Sequence, residues 1–168
     1  MSENLASQVV ELLKRRGETV AFCESLTAGL ASATIAEVPG ASAVLKGGLV
    51  TYATELKVEL AGVSQELIDA HGVVSPQCAA AMAQGAATRC RSDWAISLTG
   101  VAGPSGQDGH AVGEVWIGLA GPDAGTIETY RAFEGKQQVI LAELGRHHIR
   151  ESAVQQSFRL LIDYIESH

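Results

Sequence analysis

Asp93-Trp94-Ala95-Ile96-Ser97-Leu98 runs directly into Thr99-Gly100-Val101-Ala102-Gly103-Pro104-Ser105-Gly106, and that junction decides how the chain is read. A buried-strand pattern that breaks into glycines lets the backbone approach another group closely, because glycine lacks Cβ and tolerates positive φ. Successive amides in such a loop can form an anion-binding concavity. A second polar turn, Glu24-Ser25-Leu26-Thr27-Ala28-Gly29, follows another strand pattern, Thr19-Val20-Ala21-Phe22-Cys23. Open α/β sheets bind ligands in loops at the carboxyl ends of their strands. The pattern therefore points to an enzyme acting on a small molecule.

Working outward, Leu5, Val9, Leu12 and Leu13 fall at helical spacing, and Gly17 stands where a helix C-cap belongs. The strand at 19–23 leads to an Ala-rich helix expected from Leu26 to Val38, closed by Pro39-Gly40. Ser25 and Thr27 suit its N-cap; they equally suit a phosphate or carboxamide at a positive helix end. Gly48 to Tyr52 reads as the second strand and Glu55 to Leu60 as a short helix. Ser64 and Ser75 are N-cap candidates, and Pro76 opens a long helix to about Arg91. Gly113–Ala120 and Thr126–Phe133 flank Gly-Pro-Asp-Ala-Gly and form an expected antiparallel hairpin. Helical periodicity closes the chain with Ile149, Val154, Phe158, Leu161, Ile162 and Ile165. The expectation is one α/β domain over residues 1–168, a three-layer α/β/α sandwich with a mostly parallel mixed sheet and one antiparallel hairpin.

Composition bounds the function. The 168 residues carry a net charge of -7, so a nucleic-acid partner is disfavoured. Cys23, Cys78 and Cys90 make an odd set without C-x-x-C spacing, which is neither a disulfide framework nor a zinc site. Met1-Ser2-Glu3-Asn4 does not open a secretory signal, and no apolar run reaches the ~20 residues that cross a bilayer. A soluble cytoplasmic protein without a membrane partner is expected. His147 and His148, being adjacent, point to different sides of a helix and do not share a metal.

Ser42, Tyr52 and Lys57 form one candidate constellation. A desolvated lysine can take the proton of a serine hydroxyl, and a tyrosine can relay it or hold the lysine. The bland alternative makes Ser42 a turn residue, Lys57 solvated and Tyr52 half-buried. The loop 99–106 is neither the dinucleotide fingerprint nor a P-loop, since no Gly-Lys-Ser/Thr follows.

Taken together, several segments resemble the CinA C-terminal domain family. They are Glu24–Gly29, Pro39–Ser42, Gly47–Lys57, Gly72–Ser75, Thr99–Pro104 and Val112-Gly113-Glu114-Val115-Trp116. The resemblance spans roughly residues 5 to 165. It implies hydrolysis of the carboxamide of nicotinamide mononucleotide to nicotinic acid mononucleotide and ammonia. It also implies a serine mechanism with no metal and no cofactor, and a homo-oligomer, a dimer or larger. By position it gives Ser42 as nucleophile, with Ser25 the competing choice, Lys57 as base and Tyr52 as assisting hydroxyl. Ser25, Thr27, Thr99, Gly100 and Gly103 would shape the substrate pocket. The chain departs from the family after Gly135, where Lys136-Gln137-Gln138 replaces the usual arginine-bearing stretch and Arg146 to Arg150 follow later. Arg150 is then the expected ligand of the substrate phosphate. The amino-terminal molybdopterin-binding-like domain of longer members is not expected here. The alternative function is a catalytically inactive nucleotide-binding or regulatory domain; phosphoryl transfer is disfavoured without a P-loop or carboxylate cluster.

Overall fold

The computed structural model describes residues 4–168; the reading of Met1-Ser2-Glu3 lies outside them. Five strands form one sheet: β1 (Val20–Glu24), β2 (Leu45–Val50), β3 (Trp94–Gly100), β4 (Val115–Ala120) and β5 (Ile127–Arg131), in the order β2-β1-β3-β4-β5. The β1 strand pairs in parallel with both β2 and β3, and β4 runs antiparallel to β3 and to β5. Four strands thus share one direction and β4 alone opposes them. The expected α/β domain and its hairpin are what the chain forms.

Among the described residues seven α-helices surround the sheet: α1 (Leu5–Arg16), α2 (Leu30–Ala36), α3 (Thr54–Glu59), α4 (Gln65–His71), α5 (Pro76–Cys90), α6 (Gly135–Leu144) and α7 (Arg146–Ser167). Side chains alternate across a strand, and the alternation separates two cores. Val20, Phe22, Ile96, Leu98, Ile117 and Leu119 face α1, α2 and α7, whereas Cys23 and Ala95 face Met82, Ala83 and Ala86 of α5. The α5 side is built from small residues, and this lets the helix sit close. Ser97 Oγ donates to Ala79 O at 2.5 Å, and a Cβ on Gly118 would run into the Ala79 carbonyl.

Local chemistry explains most boundaries. Gly17 closes α1 in the left-handed region at φ 66°. Ser64 and Ser75 accept from Leu67 N and Cys78 N, and Pro76 occupies the first turn of α5. The start of α2 differs from expectation. It begins at Leu30 with Gly29 as N-cap at φ 99°, and neither Ser25 nor Thr27 caps it. The Glu24 carboxylate does that work, accepting from Ala31 N at 2.8 Å and from Ser32 N at 3.1 Å. The second strand begins and ends earlier than expected, at Leu45 and Val50. The closing helical region is two helices, parted at Gly145 with φ 103°.

Candidate active site

The path from β1 to β2 goes to one side of β1, and the path to β3 crosses to the other. Between β1 and β3 the topology reverses, and there the carboxyl ends of the strands open into a crevice. Ser25 follows β1 immediately, and its N–H extends the ladder by donating to Leu98 O at 2.9 Å. Thr51 N likewise donates to Glu24 O at 2.9 Å, which brings the end of β2 alongside. Thr99 and Gly100 end β3. Three parallel strand ends therefore meet around a pocket of about 180 Å³, lined among others by Ser25, Leu26, Lys57, Thr99, Gly103 and Arg146.

Lys57 is the unusual group at its floor. It lies on α3, only 1% exposed, and is among the largest fully buried side chains. Its Nζ is 3.0 Å from Ser25 Oγ and donates to Thr51 O at 2.7 Å, with Tyr52 O at 3.5 Å. A neutral amine has two hydrogens and one lone pair. Two carbonyls can take the hydrogens, which leaves the lone pair for the Ser25 hydroxyl proton. Burial pushes the Lys57 ammonium below its ordinary pKa, only partly opposed by the nearby Cys78, Cys23 and Glu55. Among described residues no carboxylate forms a salt bridge with it.

Ser42 lies elsewhere. It is exposed in a 3₁₀ turn, Ala41–Ala43, which precedes β2. Leu45 pairs with Val20, so Ser42 stands at the amino-terminal end of the parallel strands and Lys57 beyond their carboxyl end. One strand length, roughly 15 Å, separates them. The reading that pairs Ser42 with Lys57 is corrected on this geometry, and Ser25 takes its place beside the amine.

Tyr52 is at the rim, 55% exposed. Its hydroxyl accepts from Arg146 Nη2 at 2.8 Å, so its carbonyl and not its hydroxyl faces Lys57. Arg146 also donates to Gly103 O at 2.7 Å, spanning the mouth from the β2 side to the β3 loop. Arg150, the expected phosphate ligand, does not line the pocket. Its guanidinium donates to Leu26 O and Thr27 O at 2.9 and 3.0 Å, and Arg146 is the arginine at the mouth.

The remaining expected residues divide. Thr99 is buried in the pocket wall, its hydroxyl donated to Val73 O at 2.7 Å. Gly100 lines the wall where a Cβ would run into Glu114 O, and Gly103 holds φ +89°. Thr27 is fully buried, outside the pocket lining, and its Oγ1 has no hydrogen-bond partner among the described residues. Cys23 and Cys78 are buried, and burial pushes each thiol up to about 11. His147 is exposed, 3.2 Å from Glu151. Sequence reading missed Arg146 at the mouth, Gln107 in the pocket lining, Val73 behind Thr99 and the capping role of Glu24; the cluster of basic residues at 146–150 was the local signal for Arg146.

Known proteins resemble this chain in sequence and in fold. Residues 2–165 match the CinA C-terminal domain. A protein from Listeria welshimeri described as competence-damage inducible is 40% identical over 165 residues, covering 98% of this chain and 38% of its own length. Another so described, from Streptococcus pneumoniae, is 45% identical over 161 residues, covering 94% of this chain and 36% of its own. The chain thus spans little more than a third of these curated relatives. Among solved structures, the competence/damage inducible protein CihA of Agrobacterium tumefaciens superposes with a TM-score of 0.86 at 33% identity, over 96% of this chain and 93% of that one. A CinA superfamily protein of Klebsiella pneumoniae gives 0.74 at 30% identity, over 91% and 96%. With the match running through β1, β2 and β3 and the loops that end them, the chain belongs to the CinA C-terminal domain family.

Proposed function

We propose that this chain hydrolyses the carboxamide of nicotinamide mononucleotide, releasing nicotinic acid mononucleotide and ammonia, with Ser25 as nucleophile and Lys57 as its base. One observation carries the reading: a buried lysine amine 3.0 Å from the hydroxyl of a serine at the foot of a strand-end pocket. Serine is a poor nucleophile until a neighbouring base accepts its proton. Lys57 can be that base, because burial favours the neutral amine.

In the first half-reaction Ser25 Oγ bonds to the carboxamide carbon while its proton passes to Lys57 Nζ. The oxyanion is held by backbone N–H groups; those of Leu26, Ala102 and Gly103 line the pocket and have no acceptor among the described residues. Collapse breaks the C–N bond, and Lys57 returns its proton to the departing nitrogen, which leaves as ammonia. Water then attacks the acyl-serine and loses a proton to Lys57. The acid departs, and Ser25 regains its proton. The permanently positive pyridinium ring makes the carbonyl more electrophilic.

Pocket size and charge fit a nucleotide that enters ring first. Ligand sites usually measure roughly 300–1,000 Å³; the 180 Å³ here suits the ring end and leaves the sugar phosphate at the mouth. Arg146 stands at that mouth, exposed and bonded to a hydroxyl and a carbonyl instead of a carboxylate. A guanidinium so placed suits a phosphate. Ammonia release measured with the mononucleotide and its dephosphorylated nucleoside tests the reading: turnover with the first, and much less with the second, is expected. Binding of the mononucleotide without ammonia release would reassign the chain to ligand binding.

A further inference from the structure

Thr99 stands beside the nucleophile with its hydroxyl proton already committed. Side chains alternate along a strand, and residues paired across a sheet share a face. Cys23 pairs with Ser97 and Glu24 with Leu98. Cys23 and Ser97 face α5, and Ser25 N donating to Leu98 O carries the ladder one residue further. Ser25 and Thr99 are thus neighbours on that face, on strands about 4.8 Å apart, and both line the pocket with Lys57. Thr99 is 1% exposed, and its Oγ1 donates at 2.7 Å to Val73 O, a carbonyl that can only accept. We propose that Thr99 determines specificity for a carboxamide over a carboxylate, because its hydroxyl offers the reacting end of the substrate lone pairs and no proton. This deepens, and rests on, the reading of Ser25 as a nucleophile that attacks an amide.

A hydroxyl has one proton and two lone-pair directions. Val73 O takes the proton, and no donor among the described residues reaches Thr99 Oγ1, so acceptance is what remains. The polarity is fixed, since a backbone carbonyl cannot exchange its role as a side-chain amide can. The loop that carries Val73 is pinned to α5, because Ser75 Oγ donates to Gly72 O at 2.9 Å and accepts from Cys78 N at 3.1 Å. A primary carboxamide is asymmetric: its oxygen accepts and its NH2 donates. Seated with the oxygen towards the backbone N–H groups of the pocket, it turns the NH2 to Thr99, and both ends are satisfied. A carboxylate is ionised at neutral pH and carries oxygen on both sides. However it sits, one oxygen without a proton meets the Thr99 lone pairs. Buried polar atoms that meet with no proton between them are costly. A site built to pair with an N–H discriminates strongly against an analogue that lacks it. The amide is held, and the acid left by hydrolysis is released.

The test measures Kd for nicotinamide mononucleotide and for nicotinic acid mononucleotide by calorimetry. The full chain carries Ser25→Ala, which prevents turnover, and the acid-to-amide ratio of Kd is compared for Thr99, Thr99→Val and Thr99→Ser. Both ligands meet the same folded fraction, so any loss of fold cancels from the ratio. With Thr99 in place the amide should be favoured roughly tenfold or more, the scale of one hydrogen bond gained against one charged oxygen left unpaired. Thr99→Val keeps the shape without the hydroxyl and should bring the two Kd values within about twofold of each other, the amide weaker and the acid tighter. Thr99→Ser restores the hydroxyl and should restore the preference. Equal affinities with Thr99 present, or a preference that survives Thr99→Val, would overturn the proposal. The two readings fail separately. A chain that prefers the amide through Thr99, yet releases no ammonia when Ser25 is present, loses the hydrolytic reading and keeps this one. Ammonia release together with a ratio unmoved by Thr99→Val does the reverse.

Discussion

Ser25 and Lys57 are 32 residues apart in sequence and 3.0 Å apart in space, and the chemistry depends on that pairing. Replacing Ser25 by Ala removes the attacking oxygen and leaves the backbone ladder to Leu98 O intact. The expected outcome is a loss in kcat of roughly 10⁴-fold or more, read in a single-turnover ammonia assay, while Ser42→Ala keeps wild-type turnover. Near-normal rates from Ser25→Ala would remove it as nucleophile. Lys57 gives a second prediction at this scale. Its ammonium is held below the ordinary lysine pKa by burial, so the fraction of neutral base, and kcat/KM with it, rises with pH through that depressed value. Lys57→Arg keeps a positive charge that cannot serve as a base, and activity should disappear at every pH of the profile. Retained activity in that variant would mean that the lysine only fills space.

At the scale of elements, small residues set the distance between α5 and the sheet. A methyl group on Gly118 would meet the Ala79 carbonyl, backbone against backbone, whereas one on Gly125 meets nothing within 4 Å. Overpacking of rigid elements costs about 1–3 kcal/mol or more. Gly118→Ala should therefore lower the thermal midpoint by several degrees, with Gly125→Ala as the neutral control; equal midpoints would show that α5 can shift freely. Elements with local cap chemistry were legible in the sequence: Gly17, Ser64 and Ser75-Pro76 each mark a boundary that forms. The start of α2 was not, because its cap is the Glu24 carboxylate reaching seven residues ahead to Ala31 N. The site was half legible for a related reason. Ser42 and Lys57 bracket β2, and a strand holds its two flanks apart, so closeness in sequence was misleading. A parallel crossover instead sets the end of β2 beside the end of β1, where Ser25 is. Arg146 and Arg150 share one face of α7, one turn apart, and only the tertiary placement of that helix tells which meets the pocket mouth.

For the whole molecule, burying an amine and two thiols under one α/β crevice ties stability to pH in opposite senses. The unfolded chain holds a proton on Lys57 up to about pH 10.5, while the folded chain releases it at a lower pH. Between those values the unfolded state binds more protons, so stability rises with pH. Below the folded pKa both states are protonated, and the full cost of the buried charge is present. Cys23 and Cys78 work the other way: their thiols move from 9.0 to about 11 on folding, so the folded state binds more protons there. Stability is lost as pH climbs from about 9 towards 11. Urea midpoints of the wild-type chain should rise once pH passes the depressed Lys57 value, and above about pH 9 the two thiols oppose that rise. Lys57→Met removes the titrating amine, keeps the apolar stem and should abolish the rise while leaving the fall above pH 9. The difference in midpoint between the two proteins should therefore be greatest at low pH, where the variant is the more stable, and should close as the wild-type amine becomes neutral. A pH-independent difference would mean that Lys57 folds into the crevice with its charge fully compensated, and the activity profile would then need another base.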